Sequence, residues 1–353
     1  MSQAQGLVEK GIKAEAKGLL ETAEGYYRQA ADSNVEARAR LGMLLEQAEH
    51  YGEAAQWLAR ADSSASVMAH LAACHAELRH WADARTAAEK AVELAEKEQR
   101  SVLASAMATL ALSACEGNEL TNALTWAKRA EAADPQSARA QNAKGIVLFR
   151  RGDDNGATQA FRKAMQLDPH NVDACFNLGS LYCYRNKADL AINVLRGGLK
   201  EHRQSIKLHY CLGWAFLLKE ETEGAIECLE RVIALDSGYV NAYNRLGDIY
   251  YERGEYRRAV EQYRKAIGKA PDLAEAYRLL GRTYVAMKEY QKAISNYQKA
   301  TERDRTDGET YRCIAELYAI KKQPTKARAN YKRAARLGDK PSQQWCTSNG
   351  IEY

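Results

Sequence analysis

Residues 240–273 read VNAYNRLGDIYYERGEYRRAVEQYRKAIGKAPDL. Tyr243, Leu246, Gly247 and Tyr250 recur at intervals of three and four, which places them on one face of a first helix. Gly254 supplies a turn. Ala259, Tyr263 and Ala266 then form the apolar stripe of a second helix, and Pro271 stands where that helix has to have ended. Neither helix is long enough to hold in water alone, so the two must fold as an antiparallel pair. Small Gly247, Ala259 and Ala266 allow the helices to approach closely, while Tyr243, Tyr250 and Tyr263 fill the space beside them.

The same set returns at 34-residue steps. Forward of this unit stand Gly281, Ala293, Tyr297 and Ala300, then Ala315, Ala327, Tyr331 and Ala334. Backward stand Gly213 with Ala225, Gly179 with Ala191, Gly145 with Ala157, Ala164 and Pro169, and Ala111 with Ala123, Ala130 and Pro135. Further upstream the spacing loosens. Residues 65–103 keep Ala72, Ala84 and Ala91 but carry five extra residues; 35–64 keep Gly42, Ala54 and Ala61; 4–34 keep Gly11, Ala23 and Ala30.

This joint recurrence of small and large residues resembles the tetratricopeptide repeat. The resemblance implies an all-α protein, an α-solenoid in which about ten helix-turn-helix repeats wind into a right-handed superhelix. Three less regular repeats occupy 4–103, seven regular ones 104–341, and a capping segment 342–353, where Trp345 falls in register with Tyr243 and Tyr311. Stacked repeats bury their faces only against neighbours, so the ends need cover. Departures are local: Gly198 replaces a second-helix Ala, Arg203 and Arg305 stand where Pro would, and Lys144 occupies an apolar place.

Composition agrees with an all-α chain. Hydrophobic residues at 46% and charged residues at 27% suit a packed, water-exposed array, and only 5 Pro and 4 Phe speak against a β-sandwich or a Pro-rich linker. No run of 18 apolar residues occurs, so no membrane span is expected. The eight cysteines lie scattered without a C-x-x-C pair, which predicts reduced thiols and a cytoplasmic setting. The net charge of +5 divides unevenly: residues 1–170 carry 20 basic and 23 acidic side chains, and 171–353 carry 31 and 23. Tyrosine follows the basic half, with 17 of 20 from Tyr182 onward.

No phosphate loop, dinucleotide fingerprint, H-E-x-x-H or G-x-S-x-G motif is present, so a non-enzyme without cofactor or small-molecule substrate is expected. His70, Cys74, His75 and His80 are the one cluster with metal-ligand chemistry; no further Cys or carboxylate cluster completes a closed four-ligand site, so they read as structural or incidental, and no metal is expected. A basic, tyrosine-rich half raises nucleic acid as a ligand, but most of those tyrosines hold packing positions, which disfavours a stacking platform.

In proteins of this family, first helices line the concave surface, and the resemblance implies that a peptide binds there. First-helix residues off the packing stripe include Phe149, Phe176, Asn177, Tyr184, Lys207, Tyr210, Trp214 and Leu218, an apolar and aromatic wall with Phe176, Tyr210 and Trp214 as its expected anchors. Asn241, Asn244, Arg245, Arg278, Arg282 and Arg312 follow, and the four arginines predict attraction to an acidic segment or a terminal carboxylate. The carboxylate clamp of chaperone-tail-binding relatives is matched only at Asn177 and Lys207; Asn142, Ile146 and Cys211 replace its other members. The expectation is therefore an adaptor or assembly chaperone for other proteins, as in a bacterial pilus, flagellar or secretion complex; the alternative is a permanent structural scaffold subunit.

Overall fold

The computed structural model describes residues 3–96 and 99–353, and every regular element among them is a helix. The first three pairs are α1 (Gln3–Glu15) with α2 (Leu20–Ala31), α3 (Val35–Gln47) with α4 (Tyr51–Ala59), and α5 (Ala65–Glu77) with α6 (Trp81–Leu94). Next come α7 (Arg100–Glu116) with α8 (Leu120–Ala133), α9 (Ala138–Arg150) with α10 (Asp154–Leu167), and α11 (Val172–Tyr184) with α12 (Ala188–Glu201). Then follow α13 (Ile206–Leu218) with α14 (Thr222–Leu235), α15 (Val240–Glu252) with α16 (Tyr256–Lys269), and α17 (Ala274–Ala286) with α18 (Tyr290–Arg303). The last pair is α19 (Gly308–Ile320) with α20 (Pro324–Arg336), and α21 (Lys340–Ser348) stands alone after it. Two compact units divide the chain, Met1–His202 and Arg203–Tyr353.

Local chemistry sets the helix ends. Asn34, Ser64, Ser137, Asn171, Ser205 and Asp307 precede first helices, and each side chain accepts the backbone N–H three residues on. Pro135, Pro169 and Pro271 each fall two residues after a second helix has stopped. Between the two helices of every repeat one residue is left-handed, always at the fifteenth position. Glycine holds that position at Gly18, Gly152 and Gly254; Glu49, Arg79, Asn118, Asn186, Glu220, Lys288 and Lys322 hold the other seven.

The small-residue pattern has a more specific cause than close helix approach. A Cβ on Gly247 would lie 2.5 Å from the Tyr263 ring, one on Gly145 2.5 Å from the Phe161 ring, and one on Gly179 2.6 Å from Leu195. The first-helix glycine is thus a notch that the large residue of the second helix fills. Tyr263 is fully buried there.

The third repeat carries the irregularity that its length implied. Residues 100–103, four of the five surplus ones, form an additional first turn of α7, which therefore starts before residue 104. At the other end Asp339 accepts the Ser342 N–H at 3.0 Å and starts α21. Trp345 then stacks on Tyr331 with ring centroids 4.0 Å apart, and Cys346 and Ile351 join the core of Ala315, Ala327 and Ala335. All eight cysteines are free thiols; seven are buried. No helix among the described residues is long and apolar enough to cross a membrane.

Candidate binding site

In the first unit, first-helix side chains meet across neighbouring repeats. Asn177 on α11 donates to the Asn142 amide oxygen on α9 at 2.9 Å, so the one asparagine that matched a carboxylate clamp is already engaged. Phe149 and Tyr184 face one another at 5.8 Å, with Tyr184 65% exposed, and Phe176 is half-buried. Lys144, the charged residue at an apolar place, pairs with Glu131 of α8 at 2.5 Å, and Gln141 donates to the same carboxylate at 2.9 Å. Burial pushes the Glu131 carboxyl up, but the hydrogen bonds from Gln141 and Lys144 outweigh it and hold its pKa at about 2. Two packing positions of α9 have become polar together, and a crevice of about 660 Å³ opens beside them.

The cluster around His70 separates into two groups. His70 Nδ1 lies 2.5 Å from a Glu46 carboxylate oxygen, and Cys74 is fully buried, its thiol pushed up to about 12 by burial and by Glu46. His75 and His80 turn instead toward each other, with ring centroids 6.0 Å apart.

The second unit holds the remaining first-helix residues on α13, α15, α17 and α19. Lys207, Tyr210, Trp214 and Leu218 are half-buried on α13. Tyr210 contacts the Tyr239 ring at 5.3 Å, and its hydroxyl pairs with Arg245 of α15. One turn further, Asp248 accepts from Arg282 of α17 at 3.2 Å and from the Tyr263 hydroxyl at 2.8 Å, while the Arg282 guanidinium lies 4.2 Å from the centre of the Tyr251 ring. These contacts join the exposed faces of α15 and α17 into one polar surface.

Two residues read as groove wall are not open side chains: one is buried and the other is ion-paired. Asn244, one helical turn before Asp248, is only 6% exposed, and neither its amide nitrogen nor its amide oxygen finds a hydrogen-bond partner. Arg312 is held by Asp339 at 3.3 Å, Glu316 at 2.9 Å and Glu309 at 3.5 Å, which neutralises it. The four-arginine column is thereby reduced. Arg282 and Arg312 are ion-paired, Arg245 is engaged by Tyr210, and half-buried Arg278 makes no ion pair or hydrogen bond among the described residues. Asn241 is exposed.

Family models described as "Tetratricopeptide repeat" match residues 108–172, 148–212 and 274–307, and one described as "TPR repeat" matches 213–252 and 247–288. Together they run without a gap from 108 to 307, more than half of the 353 residues. The chain belongs to the tetratricopeptide-repeat family. Repeats of this kind form protein-interaction scaffolds, and the fold is generally non-catalytic. A Drosophila melanogaster BBSome complex member, the BBS4 homolog, is 24% identical over 125 residues, 35% of this chain and 26% of its own length. MamA is 32% identical over 47% of this chain and 96% of its own, with a TM-score of 0.43. Human IFIT1, solved as a dimer with PPP-AAAA, is 16% identical over 93% of this chain and 89% of its own at a TM-score of 0.56, a likeness of fold alone.

Proposed function

We propose that this tetratricopeptide-repeat chain is a non-catalytic adaptor that binds an extended segment of a partner protein on the first-helix surface of its second unit, as an assembly factor for a larger complex. The observation that carries this reading is the Asn244 amide, 6% exposed with neither polar atom hydrogen-bonded. A buried polar group left unpaired costs about 1–3 kcal/mol, and a folded protein rarely retains one without a use. A peptide group offers the matching donor and acceptor together, because an asparagine amide carries both. Turning Asn244 toward such a ligand forfeits no bond within the protein. Arg278, one repeat further at the same register position, is the guanidinium left to receive an acidic side chain or a terminal carboxylate. Eight free cysteines, seven of them buried, suit a reducing compartment such as the cytoplasm.

The test uses peptides selected on the full-length chain from a random display library. Enrichment of acidic peptides is expected. Asn244→Leu should weaken their binding by about tenfold, which is about 1.4 kcal/mol, while leaving the thermal midpoint unchanged or higher. Arg278→Ala should weaken acidic peptides and spare neutral ones. Equal binding by wild type and both variants would remove the site.

A further inference from the structure

We propose that the turn of the third repeat is a metal site, in which His75, His80 and Asp83 together take one divalent ion of the zinc type. The ligand atoms of these three side chains lie within 4.8 Å of one another. Two imidazoles and one carboxylate are a borderline donor set, suited to Zn²⁺ and its transition-metal neighbours, and three protein ligands leave positions for water.

The repeat itself shows why these residues meet. His75, His80 and Asp83 hold the eleventh, sixteenth and nineteenth positions of their repeat, counted from Ala65. In the repeat that starts at Val240 the same positions are Tyr250, Glu255 and Arg258, where Arg258 lies 4.3 Å from the Tyr250 ring centre and 2.6 Å from Glu255. One repeat on they are Tyr284, Glu289 and Lys292, with Lys292 paired to Glu289 and 5.5 Å from the Tyr284 ring centre. In the next repeat Lys326 lies 5.3 Å from the Tyr318 ring centre. Where the nineteenth position is Gly224, the Phe216 ring comes to within 3.1 Å of where its Cβ would be. The backbone of the helix pair therefore presses these positions together whatever occupies them. In the repeats that start at 240, 274 and 308 they make an aromatic ring roofed by a cation. Only the side chains differ in the third repeat, and they supply three metal ligands.

The local environment favours coordination over the alternatives. His75 is half-buried at the end of α5, and its Nδ1 is buried without a hydrogen-bond partner. Asp83 lies exposed in the first turn of α6, and His80 stands at the N-cap without making a side-chain cap. Among the described residues neither His80 nor Asp83 makes a side-chain hydrogen bond or ion pair that an ion would have to break. Three atoms bound tetrahedrally to one ion at about 2.1 Å lie about 3.4 Å from one another, so closure asks each ligand atom to move inward by less than about 1 Å. Two of the three side chains are solvent-facing and free to make it. The ion would join the end of α5 to the start of α6.

The experiment titrates Zn²⁺ into the full-length chain against a chromophoric chelator and follows thermal unfolding with and without the ion. One Zn²⁺ per chain and a raised unfolding midpoint are expected. His80→Ala and Asp83→Asn should each weaken binding by at least the about 10- to 100-fold that loss of a mere outer-shell partner produces. Both positions are exposed, so circular dichroism should show the fold intact. His70→Ala, which touches Glu46 and not the triad, should bind like wild type. The proposal fails if the wild-type chain takes up no stoichiometric Zn²⁺. It fails equally if His80→Ala and Asp83→Asn bind unchanged, or if His70→Ala is weakened as much as they are.

Discussion

Gly247 and Gly213 occupy the same register position, yet they meet different neighbours. A Cβ on Gly247 would strike the Tyr263 ring at 2.5 Å, whereas one on Gly213 would find Cys228 Cβ at 3.4 Å, ordinary contact. Gly247→Ala should therefore destabilise by about 1–3 kcal/mol through overpacking. Gly213→Ala should be neutral or stabilising, since alanine is the better helix former by about 1 kcal/mol. Denaturant midpoints of the two variants check the pair; equal losses would show that the ring does not fill the notch. The period of the sequence was enough to place glycine and tyrosine near each other. It could not show which pairs touch: Leu195 reaches to 2.6 Å of a Cβ on Gly179, whereas Leu229 at the same position stays 3.6 Å from one on Gly213, so placement and not residue type decides. Asn244 and Arg312 teach the same at the binding surface: register located both, but burial and the arrival of Asp339 from the start of α21 are tertiary facts. Glu131 gives a pH-dependent counterpart. A carboxyl held at about 2 in the fold contributes stability that is complete above its unfolded pKa and is lost as pH falls through the folded value. Glu131→Gln should thus flatten the acid side of the stability profile between about pH 5 and 2. Unchanged acid unfolding would mean that Gln141 and Lys144 do not hold it.

At the scale of the element, the turn inside each repeat shows how a strict geometric demand can be hidden from sequence. Gly254 announces a left-handed residue, but seven repeats place Glu, Arg, Asn or Lys at the same left-handed position. That conformation costs a non-glycine residue about 1–2 kcal/mol, which the packing of the two flanking helices overrides. Lys288, at a φ of 61°, is exposed, so replacing it disturbs no core. Lys288→Gly should raise stability by about 0.5–1 kcal/mol, the relief of strain less the entropy that glycine adds to the unfolded chain. A lower thermal midpoint for this variant would contradict the shared turn geometry. The metal triad was half legible for the same reason. His75 and His80 stood out by type, but Asp83 joins them only because the turn folds α6 back, and His70 leaves them because it faces Glu46.

Across the whole molecule, the basic and tyrosine-rich second half is one feature and not two. Tyr243, Tyr250, Tyr263, Tyr277, Tyr284 and Tyr297 are all buried, and cations roof several of the rings. Arg258 lies 4.3 Å from the centre of Tyr250, Arg303 4.3 Å from Tyr277, Arg333 5.2 Å from Tyr311 and Lys326 5.3 Å from Tyr318. Each such pair favours the folded state, so these cations act on stability. They cover the ring faces on which bases would stack, and their own charge is directed at the rings. A single-stranded oligonucleotide should therefore bind the full chain no more tightly than the about 10⁻⁴–10⁻⁶ M of non-specific contact at physiological salt. Arg258→Ala should lower the unfolding midpoint and leave that weak affinity unchanged. Fluorescence anisotropy over a salt series reads both statements. Tight binding with a steep salt slope, weakened by Arg258→Ala, would mean that the cations serve a nucleic acid and that the roofed rings open to receive it.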